Sequence, residues 1–264
     1  MMKKFLVIGN PIEHSLSPRI HNHWIKFNNI DATYDKKKLD ISELENLVKQ
    51  VKEKKIYGIN VTVPFKNSII PFLDKLSNEA EKTQSVNTIF LKDEKTIGHN
   101  TDIEGFELAI KNINYNVSGK KILLLGAGGV SPSILVALNN MQAHKIFVSN
   151  RTQAKAEKLK KTFSEVEIVE WGTIPDFDMI INATSLGLNV DDNIDLDFSK
   201  ISSGKLFYDI IYNPSETNFL KSAKKNGNKT ENGKKMFAYQ AKASFKIWNN
   251  IEPIIDEEVM ELLN

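Results

Sequence analysis

No cysteine occurs anywhere in the 264 residues, which removes disulfides, thiolate metal sites and cysteine nucleophiles together. Arginine is almost as scarce: of 35 basic residues only Arg19 and Arg151 are arginine, so the place of each carries more information than usual. Neither acids nor bases are in marked excess. The net charge is +2 with acids and bases interspersed, so nothing marks a nucleic-acid surface. Long apolar runs are absent, and no stretch approaches the roughly 20 residues of a membrane span. The opening MMKKFLVIGNPIEHSL imitates a signal peptide, but its apolar run stops at Asn10, short of the about 7–15 residues of an h-region. There is no repeat, low-complexity tract or flexible linker. The chain reads as a soluble cytoplasmic protein, long enough for one large or two modest domains.

What is present is alternation of strand and helix patterns. FLVIG and ATYDKKKL read as strands on either side of a helix near 18–29, and a helix over about 42–53 follows. GINVTVPFK (58–66) alternates like a strand, with Ile59, Val61 and Val63 on one face and Asn60 and Thr62 on the other. NSIIPFLDKL reads as a helix with Pro64 near its first turn, then comes a second short helix, and NTIFLK reads as a strand. The order suggests βαβ units and a mostly parallel sheet. A second cycle opens at KILLLGAGG (121–129), with helices over about 131–142 and 152–163 and strands at KIFVSN, VEIV, DMIINAT and LFYDII. Such short apolar runs suit strands buried on both faces. The tail from Met236 is helical and rich in large apolar residues, as a segment returning to pack on the first half would be.

In LLLGAGGVSPSI, Gly126 and Gly128 fall between a buried strand and a helix. Gly126 permits a tight turn, and Gly128 lets the backbone approach a pyrophosphate at the helix N-terminus. The third glycine position holds Ser131. A purely structural strand–helix turn would use the same letters. The next strand ends in SNRT (149–152), where an NAD site would place an acid; here stand Asn150 and Arg151. A guanidinium fork matches a 2′-phosphate, and Thr152 can add a hydroxyl and cap the following helix, so NADP is the expected cofactor.

In the first half, Ser15 and Ser17 precede Pro18 and a helix. Ser17 can be an ordinary N-cap, or the two hydroxyls can receive a carboxylate at the helix N-terminus. His21 and His23 lie two apart on that helix and do not share a face, so no metal site is expected. Thr101 and Glu104 have capping-box spacing, and Asp102 between them is either a first-turn acid or the partner of a lysine. Lys66 directly follows the strand of residues 58–64. A helix start there would disfavour its charge by about 0.3–1 kcal/mol, and a nearby Asp102 would favour it.

Taken together, NPIEHSLSPRIHN, NVTVPFK, SVNT, GHNTDIEG, GAGG, SNRT, NATSLG, YDIIYNP and GKKMFAYQAKASFKIW resemble the shikimate dehydrogenase family, in order and over essentially the whole chain. The resemblance implies NADP-dependent interconversion of 3-dehydroshikimate and shikimate, a step in making aromatic amino acids. It also implies two α/β domains: a substrate domain of residues 1–101 completed by 238–264, and a Rossmann-type NADP domain of residues 102–237. Carried over by motif, Ser15 and Ser17 would hold the substrate carboxylate. Thr62, Lys66, Asn87, Asp102 and Gln240 would contact the ring hydroxyls, with Tyr212 nearby, and Lys66 and Asp102 would be the catalytic pair. Gly126, Ala127, Gly128 and Gly129 would take the pyrophosphate, Asn150, Arg151 and Thr152 the adenosine 2′-phosphate, and Thr184 and Met236 would lie along the cofactor. The chain departs from the family at Ser131, at Ser185 where proline is frequent and at Phe237 where leucine is common. No metal, nucleic acid or membrane partner is expected, and the protein would be a monomer or homodimer. A quinate/shikimate dehydrogenase of looser substrate and cofactor choice, and a silent NADP-binding sensor, remain the alternatives.

Overall fold

The computed structural model describes residues 2–189, 191–198 and 201–264. The chain divides into two compact units: residues 1–105 with 238–264, and residues 106–237.

In the first unit, β1 (Lys3–Gly9), α1 (Ser17–Phe27), β2 (Ala32–Lys38), α2 (Leu44–Lys52) and β3 (Gly58–Val61) build a parallel βαβαβ segment. The helices form where apolar residues recur at helical spacing. On α1 the buried face is Ile20, His21, Trp24 and Ile25; on α2 it is Leu44, Leu47, Val48 and Val51. Then follow β4 (Lys75–Leu76), α3 (Asn78–Thr83), β5 (Thr88–Lys92) and β6 (Lys95–His99), giving the sheet order β2-β1-β3-β5-β6-β4. The sheet is mixed rather than mostly parallel, because β5 runs antiparallel to both β3 and β6.

Two further readings are corrected here. NSIIPFLDKL is not an α-helix: it forms turns, a short 3₁₀ segment at Ile70–Phe72 and then β4. The side chain of Asp74 takes both the backbone N–H (2.8 Å) and the hydroxyl (2.8 Å) of Thr96, which fixes the segment to β6 and leaves no continuous helix. β3 ends at Val61, short of the expected Pro64, and all of its residues are buried.

The second unit begins within α4 (Asp102–Asn112) and continues through β7 (Lys121–Leu125), α5 (Ser131–Asn140), β8 (Lys145–Ser149), α6 (Gln153–Thr162), β9 (Glu167–Val169), β10 (Met179–Asn182), β11 (Leu206–Asp209), α7 (Asn218–Lys225) and β12 (Lys229–Glu231). Its sheet is wholly parallel in the order β12-β11-β10-β7-β8-β9. The strand order reverses between β7 and β10, which is where doubly wound sheets bind ligands. Leu123, Leu125, Ile180, Phe207 and Phe219 centre its core.

α8 (Lys234–Asn249) and α9 (Glu257–Glu261) end the chain, and residues from Ala238 onward belong to the first unit. A Cβ on Gly58 would fall 2.3 Å from Trp248 Nε1, so only glycine admits that indole over β3. Trp248 donates to Ile89 O (3.0 Å) and stacks on Phe5 (5.1 Å). Arg19, one of the two arginines, is spent here: its guanidinium donates to the carbonyl oxygens of Leu262 and Asn264.

Candidate active site

Lys66 stands in the turn after β3. Phe65 N bonds Thr62 O, and Val86 N bonds Lys66 O (2.8 Å), so the backbone on both sides is held while the side chain is left to reach inward. Its Nζ lies 2.6 Å from Asp102 Oδ2, and the two side chains are only 12% and 8% exposed. The opposing helix dipole expected at Lys66 does not arise, since no α-helix starts there.

Asp102 opens α4. Its N–H bonds Asn100 Oδ1 (3.0 Å), and its Oδ1 accepts from Asn87 Nδ2 (2.8 Å). Asn87 cannot turn over easily, because its Oδ1 accepts the Thr101 N–H at 2.8 Å. Thr101 also turns its hydroxyl inward to Asn87 Oδ1 (3.2 Å). The first unit therefore brings Lys66, Asp102 and Asn87 into one hydrogen-bonded group. Thr62 enters through its backbone, with Thr62 N on Ile8 O at 2.9 Å. A Cβ at Gly9 would stand 2.6 Å from Thr62 Cγ2, so glycine at the end of β1 makes that approach possible.

Ser15 and Ser17 are themselves bonded: Ser15 Oγ donates to Ser17 Oγ and accepts from Ser17 N, each at 3.3 Å. Ser17 is not the N-cap of α1. That position falls to Leu16, without a side-chain cap bond, and Ser17 is already the first helical residue. Gln240 lies on the part of α8 that belongs to the first unit, and its carbonyl oxygen accepts from Ser244 Oγ (3.0 Å).

In the second unit, Gly126 has φ +108°, and a Cβ there would lie 2.7 Å from Ala183 O. Only glycine makes this turn. At Gly129 a Cβ would meet nothing within 4 Å, and at Gly128 only Ala183 O at 4.0 Å, so the outer side of the turn is open. Ser131 braces the turn from inside: its hydroxyl donates to Gly126 O (3.0 Å) and accepts from Gly128 N (3.1 Å). Asn150 joins the turn to the end of β8, accepting from Ala127 N (3.0 Å) and donating to Thr152 O (2.7 Å). Thr152 takes the N-cap position of α6 without a side-chain cap bond. Arg151 is exposed and makes no hydrogen bond or ion pair among the described residues. An open glycine turn beside an uncommitted guanidinium fits a dinucleotide that carries a 2′-phosphate.

Thr184 follows β10, with its N–H (3.1 Å) and hydroxyl (2.7 Å) on Asn182 Oδ1. Asn182 Nδ2 in turn bonds Asp209 Oδ1 (3.1 Å), and Asp209 Oδ2 accepts from Thr217 (2.6 Å). Burial pushes Asp209 up to about 6. Tyr212 packs on Phe237 with ring centroids 4.6 Å apart, and Met236 is buried. The residues missed from sequence are the buried polar ones: Tyr34, Asn60, Thr88 and Ser244 in the first unit, Asn182, Asp209 and Thr217 in the second. The one signal was a polar asparagine inside the apolar run of β3.

These features define a class. A parallel sheet with a glycine turn at its switch point, joined to a second α/β unit that buries a Lys–Asp pair, is the plan of a nicotinamide-dependent oxidoreductase. Residues 7–89 match the family model of the shikimate dehydrogenase substrate-binding domain, and residues 107–214 match that of shikimate/quinate 5-dehydrogenase. A shikimate dehydrogenase (NADP(+)) of Pelagibacter ubique is 59% identical over 100% of both chains. The crystal structure of shikimate dehydrogenase from Aquifex aeolicus is 38% identical with a TM-score of 0.91, covering 99% of this chain and 97% of that one. Shikimate 5-dehydrogenase from Thermus thermophilus, solved with NADP(H) and shikimate, is 30% identical with a TM-score of 0.90, over 99% and 98% of the two chains. The chain belongs to the shikimate dehydrogenase family.

Proposed function

We propose that this chain catalyses the NADP-dependent, reversible reduction of 3-dehydroshikimate to shikimate, with Lys66 and Asp102 as the catalytic pair. The buried Lys66–Asp102 contact carries the reading. NADPH, when bound, supplies the hydride to the ketone carbon. As that carbon is reduced, charge develops on its oxygen, and the Lys66 ammonium donates a proton to it. Asp102 orients the ammonium, and Asn87 holds Asp102 in place. Ser15 and Ser17 receive the substrate carboxylate, while Thr62 and Gln240 contact ring hydroxyls, with Tyr212 near them.

On the nucleotide side, Gly126, Ala127, Gly128 and Gly129 hold the pyrophosphate, and Arg151 with Thr152 takes the 2′-phosphate. Asn150 acts chiefly as the brace between these two groups. Thr184 and Met236 line the rest of the cofactor's path. A cysteine-free chain acting on small anionic metabolites suits the cytoplasm, and no helix among the described residues is long and apolar enough to cross a membrane.

The test is a spectrophotometric assay of shikimate and quinate, each with NADP and with NAD. Shikimate with NADP should turn over fastest. Preference for quinate with NAD would replace this reading by the broader quinate/shikimate one, and no turnover with any pair would leave a nucleotide-binding sensor.

A further inference from the structure

Tyr34 and the Lys–Asp pair are joined through the interior of the first unit by a continuous series of hydrogen bonds. The series starts at Tyr34 on β2. Tyr34 donates to Asn60 Oδ1 at 2.6 Å. The amide nitrogen of Asn60 donates to Asn87 O (3.1 Å), Thr88 Oγ1 (3.2 Å) and Ser244 Oγ (3.0 Å). Asn87 Nδ2 finally reaches Asp102 Oδ1, whose other oxygen holds Lys66.

Tyr34 heads this series, and it is held rigidly. Asn22 on α1 grips the Tyr34 backbone at both groups, donating to its carbonyl (2.8 Å) and accepting from its N–H (3.0 Å). The ring lies flat on His21, with centroids 4.2 Å apart and planes parallel. The residue is 1% exposed, and burial holds its hydroxyl well above the usual tyrosine range, so the proton stays on as a donor. That donor decides which way Asn60 points. With Oδ1 on Tyr34, the nitrogen must face Asn87 O; a reversed amide would set acceptor against acceptor in a dry interior. A phenylalanine would fill the same space, so packing alone does not call for the hydroxyl.

We propose that Tyr34 is a positioning residue for the reaction: its hydroxyl fixes Asn60 and thereby the backbone of Asn87, whose amide holds Asp102. The proposal rests on the reading of Lys66 and Asp102 as the catalytic pair.

The experiment is a double-mutant cycle in the full chain, with Tyr34→Phe, Asn87→Ala and both together, read by steady-state kinetics of shikimate with NADP and by thermal unfolding. Tyr34→Phe keeps the ring stack and should lower kcat/KM for shikimate about ten-fold, with the KM for NADP within about two-fold of wild type. The double variant should be no worse than Asn87→Ala alone, because the effect of Tyr34 runs through Asn87. Asn60→Ala, which cuts the same series one link further on, should show the same coupling and serves if Tyr34→Phe does not fold. Losses that multiply in the double variants, or a lowered melting temperature with unchanged kinetics, would overturn the proposal while leaving the site reading intact. Full turnover in Asn87→Ala would overturn both.

Discussion

Lys66 Nζ and Asp102 Oδ2 lie 2.6 Å apart and nearly out of solvent. Removing one partner of such a pair leaves a buried charge uncompensated, at a typical cost of about 3–5 kcal/mol. Lys66→Ala should therefore lower kcat by about 10²–10⁴ and also lower the melting temperature. Lys66→Arg separates the two effects. It keeps a cation beside Asp102, so stability should largely return, but a guanidinium gives up no proton and turnover should stay low. Near-normal turnover in the arginine variant would move the proton donor elsewhere.

Arg151 should set cofactor choice. Charge-assisted hydrogen bonds contribute about 1.5–3 kcal/mol, so Arg151→Ala should weaken NADP by roughly ten- to a hundred-fold or somewhat more, with NAD little changed. Calorimetric titration of both nucleotides checks this. Equal weakening would make Arg151 a structural support and remove the phosphate assignment.

Replacing Ser15 and Ser17 by alanine together should raise the KM for shikimate and leave NADP affinity near wild type. Leu16 occupies the N-cap of α1, so the about 0.5–2 kcal/mol that a lost serine cap would cost should not appear in thermal unfolding. An unchanged KM would show that the carboxylate binds elsewhere.

Stability against pH should carry two opposing contributions. Burial lowers His21 from an ordinary 6.5 to about 3 and raises Asp209 from 3.8 to about 6. Below pH 6.5 the unfolded chain protonates its histidine while folded His21 stays neutral, so stability falls with acid through that window. Asp209 acts in the other sense: the folded state takes up its proton near pH 6 and the unfolded state only near 3.8, so stability rises as pH falls through that window. Between pH 7 and 5 the loss from His21 amounts to about 2 kcal/mol and the gain from Asp209 to about 1 kcal/mol. Asp209→Asn should therefore steepen the loss of melting temperature between those pH values, and His21→Phe should weaken it, leaving the loss from His99, which burial also lowers. Wild-type slopes in both variants would mean that other groups govern the acid response.

The glycine turn was legible because its physics is local: one strand, one helix, and a position where a side chain cannot fit, as Ala183 O beside Gly126 bears out. Lys66 was legible only through the motif around it, since one lysine among so many has no local mark. The misread segment 67–76 has apolar residues at helical spacing, yet Pro71 and the Asp74–Thr96 bonds take it into the sheet. The β5–β6 hairpin was missed because its turn residues, Asp93 and Glu94, both adopt positive φ (50° and 57°) without the usual Asn-Gly signal. The Tyr34–Asn60–Ser244 series left one trace, the asparagine inside the apolar run of β3. Its members come from two strands and the last long helix, and no spacing rule joins them.

The placement of Trp248 over Gly58 has a consequence for the order in which the protein takes shape during synthesis. Domains usually fold in the order they leave the ribosome. Here the unit that starts the chain waits for its end: Trp248 covers Gly58, Ser244 bonds Asn60, and Trp24 donates to Ile254 O. The nucleotide unit, made of the uninterrupted residues 106–237, has its whole sequence available first. The growing chain thus emerges with its first hundred or so residues unfinished, and their exposed apolar strands depend on the last helices to arrive before they are sealed.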